Sequence, residues 1–159
     1  MSVAVRCWPS DRRSPAALAT LAVVALAGLA SGCGKEKRDF RVEKLNPLVK
    51  RAGEERATLA AVLRGSRPGR ERDARALHEQ LARVVGVLRR IAGLNPPDGV
   101  DGKFHRYTRA NTAFAAALRR FVDAFAAGDD SGQRDAAERT RTTLATAQRA
   151  QVQLQHALR

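Results

Sequence analysis

Acidic residues, aromatics and cysteine are all scarce in this chain. Aromatics make up 4% of 159 residues, so any core is aliphatic and rich in alanine. Asp and Glu number 16 against 29 Lys and Arg, a formal net charge of +13. That excess points to an anionic partner such as nucleic acid, a membrane surface or a wall polymer. The residues three places before His78, His105 and His156 are Arg75, Gly102 and Gln153. The Glu-x-x-His motifs of di-metal bundles are therefore missing, as are His-x-x-x-His and Cys-x-x-Cys-His. Asp129-Asp130-Ser131 lacks the ligand ladder of a calcium loop. Ser66 and Ser131 stand in turn-like stretches without a Gly-x-Ser-x-Gly setting. No catalytic residue, metal site or cofactor is expected, and the length excludes a large multidomain enzyme. Sustained period-two alternation is lacking too, which argues against strands.

The one long apolar run, with no charge in it, is Ala16 to Ala30. Arg6, Arg12 and Arg13 precede it with a single acid, Asp11, and Ser31, Gly32 and Cys33 follow before the chain turns abruptly polar. A basic start, an apolar middle and small residues at the junction describe a secretory signal. The run is shorter than the roughly 20 residues of a spanning helix, so cleavage is the expected fate. Leu29-Ala30-Ser31-Gly32-Cys33 resembles the lipobox of bacterial lipoproteins, with Ala30 where Leu is commoner.

The lipoprotein resemblance implies cleavage after Gly32 and a lipid, palmitate included, on Cys33. It also implies anchorage at the extracytoplasmic face of the cell membrane; a secreted, unanchored chain is the alternative. Cys7 would leave with the signal, so the mature chain would form no intramolecular disulfide and no cysteine-based zinc site. Removing 32 of 159 residues leaves 127, and the charge falls from +13 to +11 as three arginines and one aspartate depart. Export also conflicts with a nucleic-acid partner.

Residues 33–45 read as the lipidated cysteine and a charged spacer of mixed sign. From there the pattern predicts four helices, about 46–64, 70–92, 103–127 and 131–158, within one domain over 46–159. Asn46-Pro47 supplies a cap and a first-turn proline. Gly65-Ser66-Arg67-Pro68-Gly69, Gly93 to Pro97, and Gly128 punctuate the rest. The inward stripes recur every three or four residues. They comprise Leu45, Leu48, Ala52, Glu55, Leu59 and Val62, then Ala74, Leu77, Leu81, Val84, Leu88 and Ile91. Phe104, Tyr107, Asn111, Phe114, Leu118, Phe121 and Phe125 form the third. The fourth is Ala137, Thr140, Leu144, Ala147, Gln151, Leu154 and Leu158. The expected fold is all-α, an antiparallel four-helix bundle with coiled-coil-like packing.

Facing residues of an antiparallel pair share one midpoint, which must fall in the connecting turn. Positions 104, 111, 118 and 125 face 158, 151, 144 and 137 about residue 131. Positions 77, 84 and 91 face 59, 52 and 45 about Pro68, while 91, 88 and 84 face 104, 107 and 111 beside Pro97. Each midpoint lies in a predicted turn.

Two polar features remain as candidate sites. Asn111 faces Gln151 in a thinly filled layer, with Glu55 one layer away, which suits either a register-fixing amide pair or a small-ligand pocket. Arg64, Arg67, Arg70, Arg72 and Arg75 cluster about the first turn, where anionic lipid or wall polymer is the expected partner, or where they form a solvated face. The expected function is that of a membrane-anchored, non-catalytic binding or interaction domain. A sensor for a small ligand at the Asn111/Gln151 waist is the alternative.

Overall fold

The computed structural model describes residues 34–159; the expected signal segment and Cys33 lie outside the described residues. The chain forms α1 (Lys35–Asp39), a π-helical turn (Phe40–Leu45), α2 (Asn46–Gly65), α3 (Glu71–Ala92), α4 (Asp101–Ala127) and α5 (Asp130–Ala157). The four long helices make an all-α bundle, with sequential neighbours α2–α3, α3–α4 and α4–α5 packed along one another.

The segment before α2 departs from the expected spacer. Asn46 is not a cap; its backbone is helical (φ −59, ψ −42), and its N–H donates to Arg41 O across a widened turn. Pro47 has no N–H, and inside a regular helix its ring would strike the carbonyl four residues back. The π-helical turn immediately upstream spreads those carbonyls, so the helix runs through the proline instead of starting at it. The same widening puts Phe40 and Leu45, five residues apart, on one inward face, each 3% exposed. Phe40 meets Phe104 edge-on, with centroids 5.9 Å apart at 78°.

α3 carries the deepest stripe, with Leu77, Leu81, Val84, Leu88 and Ile91 all buried between its two neighbours. Cross-helix hydrogen bonds agree with the expected registers. Gln80 Nε2 reaches Glu55 Oε2 at 2.8 Å, a pair centred within one residue of Pro68. Arg106 Nη1 reaches Gln153 Oε1 at 3.4 Å, centred within two residues of 131.

Two turns meet at one end of the bundle. Gly128 closes α4 in the left-handed region (φ 69), and Asp129 N–H returns to Ala124 O at 2.9 Å. Gly69 (φ 74) donates its N–H to Phe125 O at 3.2 Å, tying the α2–α3 loop to the end of α4. Asp129 then caps α5 by accepting from Ser131 N and Gly132 N at 3.1 and 3.0 Å.

Were residues 34–45 a passive spacer, trimming Phe40 would cost nothing. Its burial against Phe104 instead predicts that Phe40→Ala lowers unfolding stability by about 3 kcal/mol, measured by urea denaturation followed at the helical circular dichroism signal.

Candidate functional site

The bundle is closed on three seams and open on the fourth. α2 and α5 are not in close backbone contact, and a groove runs between them with Phe114, Leu118 and Phe121 of α4 as its floor. Leu59 and Leu63 of α2 form one wall, Leu144 of α5 stands in the other, and the groove's volume is about 70 Å³. Of the residues lining it, Leu63, Phe121, Ala137 and Leu144 are half-buried, whereas Leu59, Phe114 and Leu118 are buried.

The local pattern of α2 explains which residues reach the groove. Ala52 and Leu59 are buried and sit seven apart, so they mark the centre of the inward face. On either side of that line lie Glu55 and Arg56, which point to different neighbours. Glu55 turns to α3, where Gln80 Nε2 bonds both its carboxylate at 2.8 Å and its backbone carbonyl at 3.1 Å. Arg51 completes that pairing from 3.8 Å on the outer side.

Arg56 turns the other way, into the open seam. Its Nε–H donates to Ala52 O at 3.0 Å, and its guanidinium carbon stands 5.7 Å from the Phe114 ring centroid, within cation–π range. Among the described residues no carboxylate lies within ion-pair distance of it. Loss of water lowers its pKa from the usual arginine value, and the nearby Tyr107 phenol opposes that shift. Tyr107 itself is pushed up by burial, with the Arg56 charge and the Asn111 amide pulling it back.

The expected waist therefore arranges itself differently in three dimensions. Asn111 is 5% exposed, and its amide nitrogen donates to Tyr107 O, one turn back on its own helix, at 3.0 Å. Gln151 is half-buried. None of Glu55, Asn111 and Gln151 lines the groove, which lies toward the α2–α3 loop from that layer. Arg56 is the polar residue that sequence spacing passed over, and its only signal was a cation one position off an inward stripe. Thr140 also lines the groove, but its hydroxyl is spent on Ala136 O at 2.7 Å.

The arginine cluster is exposed around the α2–α3 loop. Arg75 pairs with Glu71 at 2.9 Å, and Asp73 accepts the Arg67 backbone N–H at 2.8 Å. The Arg64, Arg67, Arg70 and Arg72 side chains carry no ion pair among the described residues. A wider depression of about 390 Å³ lies between α1 and the α3–α4 turn, and Lys35, Lys44, Glu36 and Asp39 line it with both signs of charge. All three histidines are exposed. Protonated His78 donates from Nε2 to Asp123 Oδ1 at 2.9 Å and from Nδ1 to Ala74 O at 2.8 Å, bridging α3 to α4.

No family model, curated protein or solved structure matches this chain. Its chemistry has to be read from its own side chains. Among the described residues no three of His, Cys, Asp and Glu gather as a metal site would need, and no helix is long and apolar enough to cross a membrane.

Two outcomes test this description. With both ring nitrogens facing acceptors, His78 is held above its usual 6.5, chiefly by the Asp123 hydrogen bond. A raised folded pKa contributes stability that is complete below the unfolded value and is lost as pH climbs through the folded one. Proton NMR should place the His78 midpoint above 6.5, and Asp123→Asn should bring it down. Arg56→Met keeps the apolar stem and removes a desolvated charge that no acid neutralises. Thermal unfolding is expected to show it equal to, or about 1 kcal/mol more stable than, the native chain; a loss of that size would make the Phe114 contact structural instead.

Proposed function

We propose that the protein is exported, lipidated on Cys33 and held at the outer face of a membrane, where its bundle serves as a non-catalytic binding module. The observation that carries this reading is the join between the uncharged run ending in Ser31-Gly32-Cys33 and the fold. Helix α1 begins at Lys35, two residues after that cysteine, and Phe40 already packs into the bundle. No free linker intervenes between the anchor point and the domain. The bundle's orientation would be set by the anchor, not by a tether.

That join has a geometric consequence for the arginine cluster. Residues 35–65 form one helical rod, about 45 Å long at 1.5 Å per residue. Cys33 adjoins one end of it, and Arg64, Arg67, Arg70 and Arg72 stand at the other. An upright bundle presents these cations away from its own lipid leaflet, toward anionic wall polymer or an opposing surface. Lys35, Lys37 and Arg38, beside the anchor, are the cations that would rest on headgroups, each contributing on the order of 1 kcal/mol, with Glu36 and Asp39 offsetting part. The acyl chains dominate the attachment.

A second reading, a sensor for a small ligand, is favoured by one observation: the open α2–α5 seam with a half-buried cation in it.

Metabolic labelling with a palmitate analogue tests the main reading. The full chain should be labelled and sediment with membranes, whereas Cys33→Ser should lose the label and appear in the soluble fraction. Equal labelling of both would end the lipoprotein assignment.

A further inference from the structure

We propose that the depression between α1 and the α3–α4 turn seats the phosphoethanolamine headgroup of a phospholipid, its phosphate on Lys35 and Lys44 and its ammonium on Glu36 and Asp39. This rests on reading the protein as anchored at Cys33, and it names the lipid that the anchored bundle holds. Three observations define the ligand.

The first is charge. Two cations and two acids line one depression, and among the described residues none of the four forms an ion pair. A simple anion entering it meets Glu36 and Asp39, and a simple cation meets Lys35 and Lys44. A group carrying both signs is matched by all four. A phosphodiester joined to an ammonium is such a group. The ammonium brings three N–H donors to the two carboxylates, and the lysines bring theirs to the phosphate oxygens, so every contact is a charge-assisted hydrogen bond.

The second is size and lining. The depression holds about 390 Å³, at the lower end of the roughly 300–1,000 Å³ usual for small-molecule sites. Its apolar lining is Phe40 and Pro97, both buried, with exposed Asn95 beside them. Ethylene and glycerol carbons lie against such a surface without leaving a polar group unpaired. Phe40 is fixed by its edge-on contact with Phe104, so the seat belongs to the bundle and not to a loose end.

The third is position. Lys35 stands two residues beyond Cys33, and two residues of chain span at most about 7 Å. The headgroup layer on one side of a bilayer is about 5–7 Å deep. A cysteine whose acyl chains enter the hydrocarbon therefore keeps Lys35, and the depression it lines, at the level of the headgroups. Exposed charges of this kind contribute little singly in water. At the surface the lipid is already concentrated beside the seat, which favours a contact that is weak in solution. The acyl chains supply the attachment, and the headgroup contact fixes how the bundle is turned about its anchor.

Glycerophosphoethanolamine, the headgroup without acyl chains, is the probe. Titrated into the full chain, it should saturably shift the backbone amide resonances of Glu36 and Asp39 and the side-chain amide of Asn95. Glycerol 3-phosphate, with the anion alone, and ethanolamine, with the cation alone, should bind at least tenfold more weakly. Lys44→Gln and Asp39→Asn should each weaken the probe at least fivefold while helical content stays unchanged. Lys44 is exposed, so that variant keeps the test open if Asp39→Asn disturbs the fold. In phosphatidylcholine bilayers carrying a photoreactive phosphatidylethanolamine, the native chain should cross-link through α1. Absence of saturable shifts, either half binding as tightly as the whole, or full binding by both variants would overturn the inference. Binding of the soluble probe without the cross-link would overturn phospholipid as its source. Cys33→Ser should bind the soluble probe normally, so failure of the seat and failure of the lipid anchor are told apart.

Discussion

The pairing of α4 with α5 constrains everything else in this bundle. Ala117 on α4 and Ala136, Ala147 and Ala150 on α5 are all buried. Small side chains at a helix contact let the two axes approach toward the short end of the usual 8–10 Å range. On the other flank, α3 packs against both α2 and α4 through Leu, Val and Ile. The bundle is therefore not a regular square. α5 packs most extensively along α4, and between α5 and α2 lies the groove floored by Phe114, Leu118 and Phe121. An Ala-rich, aromatic-poor composition was bound to leave some layer thinly filled, and the fold gathers that deficit into one seam.

Along that seam α2 has two edges with different tasks. The Glu55 edge is satisfied by α3, where a carboxylate, an amide and Arg51 share the available hydrogen bonds. Arg56, about 100° further round the helix, faces a helix that never arrives. Its aliphatic stem and its stacking on Phe114 make the position tolerable, because an arginine can bury its methylenes while its head reaches water. They do not neutralise the charge. Polar groups left in this state cost stability, and such costs persist where the group does something besides holding the fold together.

Three of the four seams were legible in the sequence, and for a stated reason. Each hairpin turn fixes the midpoint of the helices it joins, so facing residues can be counted, and the Glu55–Gln80 bond falls where that count puts it. The first and last helices share no turn. Nothing in the spacing says how far apart they lie, and a closed bundle was the natural extrapolation. The Asn111 layer failed for a related reason: counting assigns heights along the axis but not the side-chain torsion, and the Asn111 amide found Tyr107 O on its own helix before it found Gln151. The segment before α2 was hidden by its period. Phe40 and Leu45 are five apart, which neither the α-helical nor the β repeat recognises, and Asn46-Pro47 imitates a helix start. Only a π-helical turn reconciles the two.

The surplus of positive charge then divides into parts with different physics. Cations beside α1 are adjacent to Cys33 and balanced in part by Glu36 and Asp39. Arg64, Arg67, Arg70 and Arg72 are solvated at the distal end, where salt screens them and a single contact is worth little. Arg56 is half-buried, and partial loss of water lowers its pKa from the usual arginine value. The groove beside it ends at Leu63, next in sequence to Arg64, and the exposed arginines around the α2–α3 loop follow. Such a field raises the local concentration of anions and speeds their arrival without selecting among them.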